Sequence, residues 1–175
     1  LSVAPLDLVC LELEAPNTIW LRIGGQAASL EQRFERVRRL CGGDSWRQIQ
    51  PDSQFWQDAA NFIWADPSHA LVRMAINPTQ MDLAETTIAE NSRADQLRRR
   101  YGVGGNVLWM SGPNDILPEI VQHLSAKLSC PALAIRGTWD RPGIGGKPPT
   151  VFSERLHAVF DPQRRFVHPH PQTAQ

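Results

Sequence analysis

Apolar residues along the chain recur at two spacings, every second residue and every third or fourth. Residues 1–16 alternate loosely (Val3, Leu6, Leu8, Cys10, Leu11, Leu13) and end at Pro16, which predicts an extended lead-in segment. Thr18–Ile23 is rich in branched and aromatic side chains and is stopped by Gly24-Gly25, the pattern of a strand. Ser29 then reads as the N-cap of a helix to about Leu40, with Leu30, Phe34, Val37 and Leu40 as its buried stripe. Arg33, Arg36, Arg38 and Arg39, interleaved with Glu31 and Glu35, give that helix a solvated face. Trp46–Gln50 is a short strand candidate. Asp52 or Ser53 caps a second helix with Phe55, Trp56, Ala59, Phe62 and Ile63 inward.

The second half repeats the alternation. His69–Ile76 predicts a strand that carries Arg73 among apolar neighbours, either at an exposed face or where a guanidinium could hold an anion. Thr79 and Asp82 have the spacing of a capping box for a helix through about Ala89. The polar stretch Glu90–Asp95 and a short helical piece lead to Arg98, Arg99 and Arg100, read as solvated. Polarity then collapses: Gly102, Gly104 and Gly105 precede Val107–Met110, a buried strand bounded by Ser111-Gly112-Pro113. Adjacent glycines ahead of a strand mark either a tight turn under a helix or backbone lining a ligand cavity, and both readings stand.

Pro118 fits only the first turn of the next helix, whose stripe is Ile116, Ile120, Leu124 and Leu128. Ala132–Ile135 is the last strand, ending at Arg136. Gly137–Pro149 is a long Gly/Pro loop in which Gly143–Lys147 imitates a phosphate cradle. Arg141 occupies the place of its first glycine, and Pro148 the place of the required Ser or Thr. Val151–Phe160 predicts a final helix with Phe152, Leu156, Val159 and Phe160 inward, and residues 167–175 read as a flexible tail.

Strand and helix thus alternate about four times, the signature of a sheet covered by helices. A parallel doubly wound sheet and an antiparallel one both fit. The first strand lacks a glycine-rich phosphate turn, which favours α+β: a mainly antiparallel sheet of split βαβ (ferredoxin-like) units.

Composition narrows the function classes. The chain has 175 residues, enough for one domain with a sizeable core, and its 18 Lys+Arg balance 18 Asp+Glu. Nothing electrostatic therefore points to nucleic acid or an anionic membrane, and no apolar run approaches the roughly 20 residues of a membrane span. The chain starts at Leu1 without a methionine, so a fragment or excised domain is expected. Cys10, Cys41 and Cys130 are odd in number and widely spaced, consistent with free thiols in a reducing compartment. His69, His123 and His157 are scattered, and His168 and His170 lie among the prolines of the tail; no spacing matches a triad or a metal site. If the strands of Arg73, Trp109 and Arg136 share a face, two guanidiniums and an indole would line one cavity, suited to a small carboxylate.

The order of motifs adds a resemblance. Thr18-Ile-Trp-Leu-Arg-Ile-Gly-Gly25, Phe55-Trp56, Leu71–Thr79, Gly104-Gly-Asn-Val-Leu-Trp109 and Leu156–Pro162 resemble the C-terminal half of the FAD-binding E subunit of bacterial-type glycolate oxidase, over residues 17–166. That subunit is of the vanillyl-alcohol-oxidase type. The resemblance implies a cap (substrate) domain that closes over FAD held by an N-terminal FAD-binding domain, and helps oxidise glycolate or a similar 2-hydroxy acid. It further implies flavin-bearing D-type and iron–sulfur subunits as partners, and a cytoplasmic location peripheral to the inner membrane through that complex. By position, Arg73, Trp109, Arg136, Gly104 and Gly105 are the substrate- or flavin-facing candidates. Two motifs depart from the family. Ser129-Cys-Pro-Ala132 stands where Gly-Gly-His-Ala is common, and Phe166-Val-His-Pro169 where Phe-Asn-Pro-Gly is common. Pro131 and Val167 accordingly support an alternative, a non-catalytic structural subunit of such a complex. A stand-alone ligand-binding α+β domain is the third reading.

Overall fold

The structure is a computed structural model that describes residues 7–42, 45–145, 151–163 and 165. In chain order the elements are β1 (Leu8–Glu14), β2 (Thr18–Ile23), α1 (Ala27–Cys41), α2 (Asp52–Ala60), β3 (Ala70–Ala75), α3 (Met81–Ala89) and β4 (Arg98–Gly102), followed by β5 (Val107–Gly112), α4 (Leu117–Leu128), β6 (Ala132–Arg136), β7 (Gly143–Ile144) and α5 (Val151–Phe160). The strands form a single seven-stranded sheet in the order β2-β1-β4-β5-β3-β6-β7. Every pairing is antiparallel. The fold is therefore α+β, as the sequence pattern predicts.

Its centre is a split βαβ unit. Two strand–helix–strand pieces, β3-α3-β4 and β5-α4-β6, interleave so that β6, β3, β5 and β4 lie side by side. Ala70, Val72 and Met74 of β3 join the main core, while on the opposite side Arg73 and Ala75 are exposed and Leu71 is buried apart from it. That core is closed by Ala84 and Ile88 of α3 and by Ile120, Val121, Leu124 and Leu128 of α4, packed on Leu108 and Met110 of β5. Pro118 sits in the first turn of α4, where its missing N–H costs nothing. The β1–β2 hairpin extends the sheet beyond β4, through Leu13↔Tyr101 and Glu14↔Arg100.

Several local expectations are corrected. Arg98–Arg100 is not a solvated run but the start of β4, and Arg100 is only 8% exposed. Trp46–Gln50 forms no strand. Gln26, not Ser29, is the N-cap residue of α1, and Ser29 Oγ donates back to the Gln26 carbonyl. In the α1 stripe only Val37 is fully buried, and Leu40 is exposed. The capping box belongs to Asn77 and Gln80 rather than Thr79 and Asp82: Asn77 Oδ1 accepts from the Thr79 amide, and Gln80 Oε1 from the Asn77 amide.

In α2 and the turn after it, Phe55, Trp56 and Phe62 are half-buried while Ile63 is exposed. The long loop after β6 contributes β7, which pairs Leu133 with Gly143. Helix α5 forms where expected, yet Leu156, Val159 and Phe160 stand exposed, because α3 and α4 already close the core they would have filled. The side chains of Phe152 and His157, and residues 166–175 with His168 and His170, lie outside the described residues.

Candidate functional site

The face of the sheet opposite α3 and α4 holds the candidate residues. Strand register sets Arg73 directly between Trp109 of β5 and Leu133 of β6, so these three side chains project from the same side. One step along, Leu71 lies between Ser111 and Arg136. The shared face predicted for Arg73, Trp109 and Arg136 is thus present in the register, but the two arginines differ in what they do.

The Arg136 guanidinium donates to two backbone carbonyls, His69 O at 3.0 Å through Nε and Asp66 O at 2.6 Å through Nη2. It ties the segment ahead of β3 to the sheet. Arg73 is exposed and makes no hydrogen bond or ion pair among the described residues. Its surroundings are apolar: Leu133 and Ile135 are each 45% exposed, and Ala75 is open beside them. Trp109 is half-buried against Phe62, with ring centroids 4.8 Å apart. Pro131 precedes β6, is exposed, and accepts a hydrogen bond from the Ala75 amide, so the strand alternation sets it on the side of Leu133.

Gly104 and Gly105 sit at the far end of β5, in a turn that needs positive φ at both (63° and 94°). A Cβ on Gly105 would meet Met81 Sδ at 2.8 Å and Pro78 Cβ at 3.4 Å, on the side covered by α3. The left-handed backbone accounts for Gly104, and that conformation with close packing under α3 accounts for Gly105; the turn lies apart from the Arg73 face.

Beside Arg73 the same face carries a buried ion cluster that the sequence reading missed. Arg100 Nη2 meets Glu14 Oε2 at 2.9 Å, and Nη1 meets Glu12 Oε2 at 3.8 Å. The Trp64 ring lies under the guanidinium at 5.1 Å, and Trp20 Nε1 donates to Glu14 at 2.8 Å. Arg100 Nε and Ser111 Oγ are buried without a hydrogen-bond partner among the described residues. Burial pushes the Glu12 carboxyl above the ordinary glutamate range; the Arg100 charge opposes the rise and Glu14 adds to it. One signal in the sequence pointed here: Leu11-Glu12-Leu13-Glu14 alternates with period two, placing two carboxylates on one strand face.

A strap over this half of the face runs from Asn61 to His69. Arg98 Nη1 donates to Trp64 O at 3.0 Å, Arg136 holds its far end, and Phe62 lies on Trp109. Phe62 adopts φ 57°, a left-handed conformation a phenylalanine rarely takes. The strap covers Arg100 and Trp109 and leaves Arg73 open.

Other chemistry is sparse. Tyr101 is buried on the α3 side and donates to Glu85 at 2.5 Å; burial, then that bond, raises its hydroxyl well above the ordinary range. Cys10, Cys41 and Cys130 are free and half-buried. Among the described residues no group of three His, Cys, Asp or Glu is placed to hold a metal ion. None of their helices is long and apolar enough to cross a membrane. Comparison with protein families, with curated proteins and with solved structures found no match.

Proposed function

We propose that the chain is the cap domain of a glycolate-oxidase-like FAD-binding subunit, with the Arg73 face turned toward a flavin held by an N-terminal domain. The observation that carries the reading is Arg73 itself: an unpaired guanidinium on an open, otherwise apolar sheet face, set between Trp109 and Leu133. A planar cofactor with a small anionic substrate needs these features from a lid, an apolar wall to exclude water and one fixed cation for the carboxylate.

The residues fit FAD as a cover and not as a cradle. The open part of the face around Arg73 is apolar, and the Gly24-Gly25 turn ahead of α1, where a pyrophosphate would sit, is filled by Arg33, whose Nη1 donates to the Gly24 carbonyl. The flavin, when bound, supplies the electron-accepting chemistry. The chain's own part is positional. Arg73 pairs with the carboxylate of a 2-hydroxy acid, Leu133 and Ile135 keep water from the reacting carbon, and Phe62 fixes the Trp109 ring.

A second reading is favoured by Pro131, which lies on the same side as Leu133 and has no group that can donate or take a proton. It is the structural subunit that caps without turning substrate over. The two readings separate on the subunit expressed together with its upstream coding region. Retained flavin absorbance with glycolate-dependent bleaching supports the catalytic cap, and retained flavin without bleaching supports the structural one. Loss of all flavin on gentle purification, or an upstream region without a flavin-binding pattern, removes both.

A further inference from the structure

The β2 edge of the sheet carries a second surface, independent of the Arg73 face and of the cap reading. β2 ends the strand order, so along its outer side every second residue directs N–H and C=O away from β1. Among the described residues no backbone hydrogen bond satisfies that outer side. The edge is not flush with the surface. It opens onto a cleft of about 1160 Å³, walled by Leu30 and Phe34 of α1, by residues 45–51, and by Phe55 and Trp56 of α2.

All residues from Asn17 to Ile23 line this cleft. Residues of both alternation parities are included, so what the cleft presents is the strand's edge and not one of its faces. We propose that this cleft takes an extended polypeptide segment of a partner protein, added to β2 as an eighth, antiparallel or parallel strand.

Three observations choose that occupant. The volume exceeds the roughly 300–1,000 Å³ of a small-molecule pocket, and the six residues of β2 run about 20 Å at a strand's rise of ~3.4 Å per residue. The unmade bonds are backbone bonds, which an extended chain completes and a folded surface does not. The charged residues on the walls sum to zero. Arg22 pairs with Asp52 at 2.8 Å, and Arg47 and Glu31, one of each sign, also line the cleft, so an uncharged strand with apolar side chains for Phe34, Trp46, Phe55 and Trp56 is the complement. A second copy of this chain is disfavoured by shape. Its own β2 lies recessed between α1 and α2, and two recessed edges cannot reach each other.

The test uses the whole chain and a blocked, uncharged peptide of alternating threonine and valine, with a twin N-methylated at every second residue. The unmodified peptide is expected to bind with Kd below about 1 mM and to slow amide exchange at Thr18–Ile23. The N-methylated twin is expected to bind at least about tenfold more weakly, since it cannot complete the ladder. Equal binding of the two, protection elsewhere than β2, or no binding of either overturns the proposal. So does concentration-dependent dimerisation that protects β2 without peptide.

Discussion

Replacing Arg100 by methionine is the severest test of the packing that organises the Arg73 face. The side chain is 9% exposed, and its two carboxylate partners, Glu12 and Glu14, are 25% and 30% exposed. Methionine keeps most of the volume but strands both carboxylates against the Trp64 ring. Removing one member of a buried pair costs ~3–5 kcal/mol. Here the carboxylates retain some contact with water, which sets the expectation at the lower end, about 3 kcal/mol. The lost cation–π contact with Trp64 accounts for up to ~1–2 kcal/mol within that figure. For a chain of this length each kcal/mol moves the melting temperature by roughly 2–4 °C, so a fall of about 6–12 °C is expected. Urea unfolding followed by far-ultraviolet circular dichroism reads the change without relying on Trp20 and Trp64, which sit in the cluster. Adding Glu14→Gln to Arg100→Met should return part of the loss, because the closest stranded charge is gone. A cost below about 1 kcal/mol, the range of an exposed pair, would show that the cluster is solvated and refute this account of β4.

Three further expectations concern the same framework. Glu12→Gln removes a carboxyl whose pKa is raised in the folded state, chiefly by burial. Such a group stabilises most below its ordinary pKa, and that contribution is lost as pH rises through the raised value; wild type should therefore lose stability relative to Glu12→Gln across that window, and a relative gain there contradicts the assignment. Gly105→Ala forces φ +94° on an L-residue and drives a Cβ to 2.8 Å from Met81 Sδ, so a loss of about 1–3 kcal/mol is expected in the same urea assay. Arg136→Met removes two charged hydrogen bonds to the 66–69 segment and should cost about 2 kcal/mol. It should also speed amide exchange around His69; unchanged exchange there would deny Arg136 its tethering part.

The antiparallel ferredoxin-like core was legible because its strands and helices keep clean periods. β3 and β5 are apolar runs with glycine or proline punctuation, and the stripe from Ile116 to Leu128 spaces its residues by four. β4 was not legible, because its sequence is Arg-Arg-Arg-Tyr-Gly. Charge normally marks a surface, and here it is absorbed on both sides: Arg99 by Glu85 of α3, and Arg100 by Glu12 and Glu14 of β1. Those partners are distant in sequence, so no local window reports them. The converse holds for α5, whose apolar residues have a helical period but meet no vacant core.

The candidate site was legible in part. Arg73, Trp109 and Arg136 do share a face by register, yet the spacing along the chain could not tell that Arg136 donates to backbone while Arg73 is left unpaired. Phe62 was read as part of a helix stripe. It became part of a strap because α2 ends at Ala60 and Phe62 turns left-handed.

The cap reading stands or falls most directly on Arg73. In the intact flavin-containing subunit, glycolate saturation should be measured for wild type, Arg73→Ala and Arg73→Lys, with flavin content recorded alongside. Expected is a KM raised about 10–100-fold in Arg73→Ala, as loss of a charged hydrogen-bonded pair implies, with partial recovery in Arg73→Lys and flavin content unchanged. A KM equal to wild type in Arg73→Ala would contradict the placement of this face over the substrate.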